Sequence, residues 1–204
     1  MSKRFFITGI GTGVGKTLAA AILAEAWNAD YWKPVQAGDL EGSDSLAVRA
    51  LISNPVSKIH PEAYRLRTPA SPHLAAQADG VAIRVSDIAV PETDNTLIIE
   101  GAGGVLVPLN EDELMTDLML HASAEAILVS RHYLGSINHT LLSAEVLRQK
   151  NIPVAGIIFN GEENISSETI ILRKTGLACL GRIPLLQETS AEKVKQIAGS
   201  FKVI

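Results

Sequence analysis

The segment Gly9-Ile10-Gly11-Thr12-Gly13-Val14-Gly15-Lys16-Thr17 follows the apolar run Phe5-Phe6-Ile7 and opens an Ala- and Leu-rich stretch. That context, a strand running through glycines into a helix, is the one a phosphate-binding P-loop requires. Glycines let the backbone close around phosphate oxygens, and the helix start supplies free N–H groups and a positive dipole end. Lys16 is then expected to reach the terminal phosphates and the Thr17 hydroxyl to hold Mg²⁺. Gly13, Val14 and Gly15 form the wrap, and Leu18 follows Thr17 in the same nucleotide-contacting set. The spacing departs from the common pattern. Five residues separate Gly9 from Gly15-Lys16-Thr17, where a standard loop has about four.

Beyond the loop, short β-branched runs alternate with longer amphipathic ones. Strands are expected at 4–8, 30–34, 96–100, 126–130, 154–160 and 179–183, and helices at 16–27, 43–52, 136–150, 166–175 and 191–200. Residues 68–73 read as a proline-containing loop entering a helix at Leu74-Ala75-Ala76-Gln77. Strands that are apolar on both faces, each followed by a helix, predict an α/β fold: a mostly parallel sheet flanked by helices on both faces, P-loop NTPase-like. With 204 residues of which 47% are hydrophobic, the chain can build one substantial core, so a single domain over 1–204 is expected.

Several function classes are disfavoured. A formal net charge of -4 without a basic cluster gives nucleic acid no electrostatic footprint. The apolar run after Lys3-Arg4 stops at Thr8-Gly9, short of a secretory core, and no run approaches a membrane span, so a cytoplasmic protein is expected. The sequons at Asn138 and Asn164 are then chance matches. The single cysteine, Cys179, excludes an internal disulfide and reads as a small buried apolar residue near a strand start. The five histidines, His60, His73, His121, His132 and His139, show no zinc-ligand spacing.

Three polar residues stand out against this frame. Glu100 ends Thr96-Leu97-Ile98-Ile99-Glu100 and is followed by Gly101-Ala102-Gly103-Gly104. An acid at the carboxyl end of a buried strand faces the ligand crevice of an open α/β sheet. Asp44, in Gly42-Ser43-Asp44-Ser45, reads from its own segment as a helix N-cap. Lys33 precedes Pro34 at the end of a strand expected beside the P-loop strand, on the γ-phosphate side. A second lysine there suits a reaction that gathers negative charge on phosphate and acceptor.

Together these stretches resemble the dethiobiotin synthetase family over nearly the whole chain. The resemblance is carried by the P-loop, by Trp32-Lys33-Pro34-Val35, and by Thr68-Pro69-Ala70-Ser71-Pro72-His73. It continues through Glu100-Gly101-Ala102-Gly103-Gly104 with Pro108-Leu109, and Leu134-Gly135-Ser136-Ile137-Asn138-His139. It implies a ligase of biotin synthesis that converts 7,8-diaminopelargonic acid, CO₂ and ATP to dethiobiotin, ADP and phosphate. On this resemblance Lys33 holds an anionic carbamate, Thr12 donates to the same region, and Lys16 neutralises phosphate. Thr17, Asp44 and Glu100 form the Mg²⁺ site, with Gly101, Ala102 and Gly103 close to the nucleotide. Asn160 reads adenine beside Gly161, and Pro184, Leu185 and Leu186 complete the base pocket. Gly135, Ser136, Ile137 and Asn138 come from the partner subunit and bind the substrate carboxylate, which implies a homodimer with composite sites.

Departures are visible. Ala37 stands where many relatives carry a hydroxyl that touches substrate, Gly11 and Gly13 replace polar loop residues, and the tail after Pro184 is short. The main rival is a P-loop switch of the partitioning or cell-division type. Those proteins carry a lysine early in the loop, where this chain has Gly11, and the end of the chain forms no basic amphipathic face. An amide-ligase domain acting on corrinoid carboxylates usually comes fused to a glutaminase, for which this length leaves no room. A catalytically dead paralogue conflicts with the presence of Lys16, Thr17, Lys33 and Glu100.

Overall fold

The computed structural model describes residues 2–204. β1 (Arg4–Gly9) runs through the phosphate loop into α1 (Lys16–Trp27), followed by β2 (Asp30–Trp32), β3 (Val35–Ala37) and α2 (Asp44–Leu51). Two short strands, β4 (Ile59–His60) and β5 (Tyr64–Leu66), precede α3 (Pro72–Asp79). Then come β6 (Leu97–Gly104), α4 (Met115–His121), β7 (Glu125–Arg131) and α5 (Ser136–Gln149). β8 (Val154–Asn160), α6 (Ile165–Thr175), β9 (Cys179–Ile183) and α7 (Ala191–Ala198) complete the chain. Seven strands form one sheet in the order β4-β2-β6-β1-β7-β8-β9, and every pairing in it is parallel.

Strand alternation builds the layers. Phe5 and Ile7 face α1 and pack with Ile22, Leu23, Tyr31 and Ile98, whereas Phe6 faces the other way and packs with Trp32, Leu97, Ile99 and Met115. Each fully buried side chain of this kind contributes about 1.5–3 kcal/mol against leaving it in water. Both faces are covered, so the strands have no solvated side and read as continuous apolar runs. Because all strands point the same way, the ends of β1, β2, β6, β7 and β8 share one edge of the sheet, where ligands of open α/β sheets bind.

Four sequence expectations change. The strand over 30–34 divides. Pro34 has no N–H to continue a ladder, so β2 stops at Trp32 and β3 leaves to pair with β5 in a separate two-stranded sheet. Lys33 lies at this departure point, and β2 neighbours β6 rather than the P-loop strand. β6 extends beyond Glu100 to Gly104, but its register with β1 shifts after the Ile7–Glu100 pair, so regular pairing ends at the acid. Cys179 does start a strand, yet it is exposed, because β9 is the edge strand. The sequence reading also left 105–125 unassigned. There α4 forms with its N-terminus tied from one side, the Asp117 carboxylate accepting the Leu114 N–H at 2.7 Å.

Candidate active site

The phosphate loop has the geometry its glycines permit. Gly15 stands at the N-cap of α1 with φ 95°, a left-handed conformation. A Cβ there would lie 2.0 Å from Asn160 Nδ2, so backbone and neighbour both demand glycine. No side chain caps α1, which leaves its N–H groups free for phosphate oxygens. Lys16 folds back over the loop and donates to Gly11 O at 2.9 Å. Burial pushes its pKa down to about 8; Glu100 pulls upward, Lys33 adds to the depression and Asp44 opposes it.

Thr17, Asp44, Glu100 and Lys33 converge in the lining of a cleft of about 690 Å³. The Thr17 hydroxyl lies 3.0 Å from Asp44 Oδ1 and 2.9 Å from Glu100 Oε1. It has one proton and cannot satisfy both carboxylates at once. Lys33 Nζ lies 2.5 Å from Asp44 Oδ2, 3.1 Å from Glu100 Oε1 and 3.3 Å from Gly101 O. Burial works against charge on Lys33, but Glu100 and Asp44 together outweigh it and raise its pKa above the usual lysine value. Asp44 shows the reverse balance: burial raises its pKa, Lys33 outweighs that, and the net is a lowered value.

The group is rich in hard oxygen acceptors with few protons to share. Two carboxylates and one hydroxyl beside a phosphate loop fit Mg²⁺, which is held by one or two carboxylates together with substrate phosphates. Glu100 is buried to 1% exposure, so it is not a solvated strand end. Gly101 must lack a side chain, since a Cβ would meet the Phe6 ring at 2.6 Å. Ser43, not Asp44, caps α2, with its hydroxyl accepting the Leu46 N–H. That frees the Asp44 carboxylate to turn inward.

Thr12, Gly13, Ala37, Ala102 and Gly103 line the same cleft. Ala37 presents no hydroxyl, but Ser71 of the Pro69–Pro72 loop does line it, with its Oγ 3.1 Å from His73 Nδ1. A smaller cleft of about 300 Å³ joins Asn160, Gly161 and Leu185. Asn160 Nδ2 donates to Val14 O at 2.7 Å, and the Gly161 N–H donates to Ile183 O at 2.8 Å. These two bonds hold the end of β8 against the phosphate loop and against the turn that carries Pro184, Leu185 and Leu186. Leu18 lies partly buried on α1, one residue past Thr17. Gly135, Ser136, Ile137 and Asn138 open α5 and do not line either cleft of their own chain. Gly135 and Asn138 are exposed there.

Two residues of the site escaped the sequence reading. Tyr31 is buried and its hydroxyl donates to Glu100 Oε2 at 2.7 Å. Strand alternation puts Tyr31 on the α1 face, which was the available signal. Gln36 is also buried, beside Asp44, and nothing in its local pattern sets it apart.

A family model described as AAA domain matches residues 3–193. The ATP-dependent dethiobiotin synthetase BioD of Christiangramia forsetii is 50% identical over 202 residues, covering 99% of this chain and 97% of that protein. The protein of the same name from Cytophaga hutchinsonii is 53% identical over 197 residues, 96% of this chain and 95% of its own. Among solved structures, the septum site-determining protein MinD of Pyrococcus horikoshii, complexed with Mg-ADP, superposes with a TM-score of 0.65 at 16% identity, over 98% of this chain and 94% of that one. That last likeness concerns the fold. The sequence relatives separate the two readings that share this fold, and the chain belongs to the ATP-dependent dethiobiotin synthetase family.

Proposed function

We propose that residues 1–204 act as one domain that joins CO₂ to 7,8-diaminopelargonic acid and closes the ureido ring of dethiobiotin at the expense of ATP. The observation that carries this reading is the buried ammonium of Lys33, held between Asp44 and Glu100 within one cleft with the phosphate loop. One substrate amine adds to CO₂ and loses a proton, giving a carbamate. A carbamate oxygen takes the γ-phosphoryl group as the bond to the β-phosphate oxygen breaks, releasing ADP. The second amine attacks the carbamate carbon, phosphate leaves, and the nitrogen loses its proton as the ring closes.

The residue types suit these steps. Carbamates are anionic and revert to amine and CO₂, so Lys33 stabilises one by charge, and the Thr12 hydroxyl donates alongside it. Lys16 offsets charge on the transferring phosphoryl group. Thr17, Asp44 and Glu100 would hold Mg²⁺, which supplies further neutralisation of the phosphates when bound. Asn160, Gly161, Pro184, Leu185 and Leu186 receive the adenine.

The substrate carboxylate is assigned to Gly135, Ser136, Ile137 and Asn138 of a second subunit in a homodimer. Support comes from the start of α5, where Gly135 and Asn138 are exposed and an uncapped helix N-terminus suits an anion. No helix among the described residues is long and apolar enough to cross a membrane. A cytoplasmic setting keeps a lone exposed thiol such as Cys179 reduced.

The test is ADP release by the purified protein with Mg-ATP and bicarbonate, with and without the diamine, and with the product identified by mass. Diamine-dependent ADP release with dethiobiotin as product is expected. Hydrolysis indifferent to the diamine would instead favour a switch-type ATPase.

A further inference from the structure

Gln36 lies in β3, 6% exposed, between Lys33 and the loop of residues 38–43. Its side-chain amide is used at both ends. Nε2 donates to Gly38 O at 3.0 Å, and Oε1 accepts the Asp44 N–H at 3.2 Å. The first N–H groups of a helix have no partner within it. At α2 two buried side chains supply partners: Ser43 takes the Leu46 N–H and Gln36 takes that of Asp44. The loop between the two ends of the Gln36 bridge is largely in solvent, with Asp39, Glu41 and Gly42 exposed. A separate tether, from exposed Arg65, donates to Leu40 O at 3.4 Å.

We infer that Gln36 is a positioning residue for the divalent-cation site, fixing the backbone of Asp44 so that its carboxylate meets Thr17 and Lys33. The inference rests on the proposed role of Asp44. Asp44 sits on the first residue of α2, beyond a solvent-exposed loop, whereas Glu100 is buried in β6 of the central sheet and Thr17 lies on α1, which packs against that sheet. Gln36 lines the cleft, but both ends of its amide are taken by backbone of its own chain, Gly38 O and the Asp44 N–H, so its hydrogen bonds act on Asp44. Partners that orient metal ligands typically set metal affinity by about 10–100-fold.

The test compares Gln36→Met, which fills the same space without the two hydrogen bonds, with Arg65→Ala, which cuts the loop's other tether. Mn²⁺ affinity is measured by electron paramagnetic resonance in the presence of ADP, and ADP affinity by calorimetry in EDTA. Gln36→Met is expected to weaken Mn²⁺ by about tenfold or more while ADP affinity in EDTA stays at the wild-type value. Arg65→Ala is expected to leave both unchanged. Unchanged Mn²⁺ affinity in Gln36→Met, or equal weakening by both variants, overturns the inference. If Gln36→Met does not fold, hydrogen exchange in the wild type decides: slower exchange at the Asp44 amide than at Glu41 and Gly42 is expected, and equal exchange overturns it. Failure of the functional reading would show separately, as wild-type protein that binds Mn²⁺ and ADP but makes no dethiobiotin.

Discussion

Lys33 Nζ and Asp44 Oδ2 lie 2.5 Å apart, joining the point where the chain leaves the main sheet to the first turn of α2. The same ammonium reaches Glu100, so one positive charge is shared by two carboxylates. Lys33→Gln removes the charge proposed to stabilise a carbamate but leaves the phosphate loop intact. Turnover is expected to fall by about 10²–10³-fold, with ADP affinity by calorimetry close to wild type. Normal turnover in this variant would contradict the role given to Lys33.

Lys16 carries a pH dependence. Burial holds its pKa at about 8, against 10.5 for a free lysine. Between these values the unfolded chain binds more protons than the folded one, so stability rises with pH across that window and is lost as pH falls through about 8. Lys16→Met removes this slope. The variant is expected to be more stable than the wild type at pH 7, by roughly 3 kcal/mol at most, with the gap closing toward pH 10. Chemical denaturation at the two pH values checks it. In the wild type above pH 8, nucleotide binding is expected to take up a proton, as calorimetry in buffers of different ionisation enthalpy would show.

The proposed adenine contact of Asn160 predicts a base preference. Its Nδ2 is engaged by Val14 O, which leaves Oδ1 as an acceptor in the smaller cleft. Adenine offers an amino group to such an acceptor, whereas guanine presents an oxygen at that position. Asn160→Ala is expected to reduce the preference for ADP over GDP by about 5–100-fold, the worth of a lost hydrogen bond with its buried partner unpaired. Competition binding measures it.

Gly15→Ala places a methyl group 2.0 Å from Asn160 Nδ2 on a backbone at φ 95°. The expected result is loss of detectable ADP binding together with a lower melting temperature, since loop and Asn160 must both move.

The composite-site proposal predicts complementation. Lys33→Gln and Asn138→Ala damage different contributors to one site. Each variant alone is expected to be nearly inactive. After unfolding and refolding together, heterodimers with one intact site should restore about a quarter of wild-type activity. No recovery in the mixture would place the carboxylate contacts within one chain.

Much of this site was legible in the sequence because it lies where strands hand over to loops. The phosphate loop, Glu100 and Asn160 each follow an apolar run, and strand ends on one edge of a parallel sheet meet in space. The topology between them was less legible. Strand periodicity does not reveal that β6 inserts between β1 and β2, or that Pro34 diverts the chain into a second sheet. Cys179 was misread because a strand pattern does not distinguish an edge from a centre. Tyr31 meets Glu100 from 69 residues away, and Gln36 meets Asp44 across a separation of eight residues; both pairings exist only after folding.

The most direct measurement is isotope tracing with ¹³C-bicarbonate, Mg-ATP and 7,8-diaminopelargonic acid. The account predicts that the label appears in the ureido carbon of dethiobiotin, with ADP and phosphate released in equal amounts to the product. Unlabelled product, or ADP released without the diamine, would contradict it.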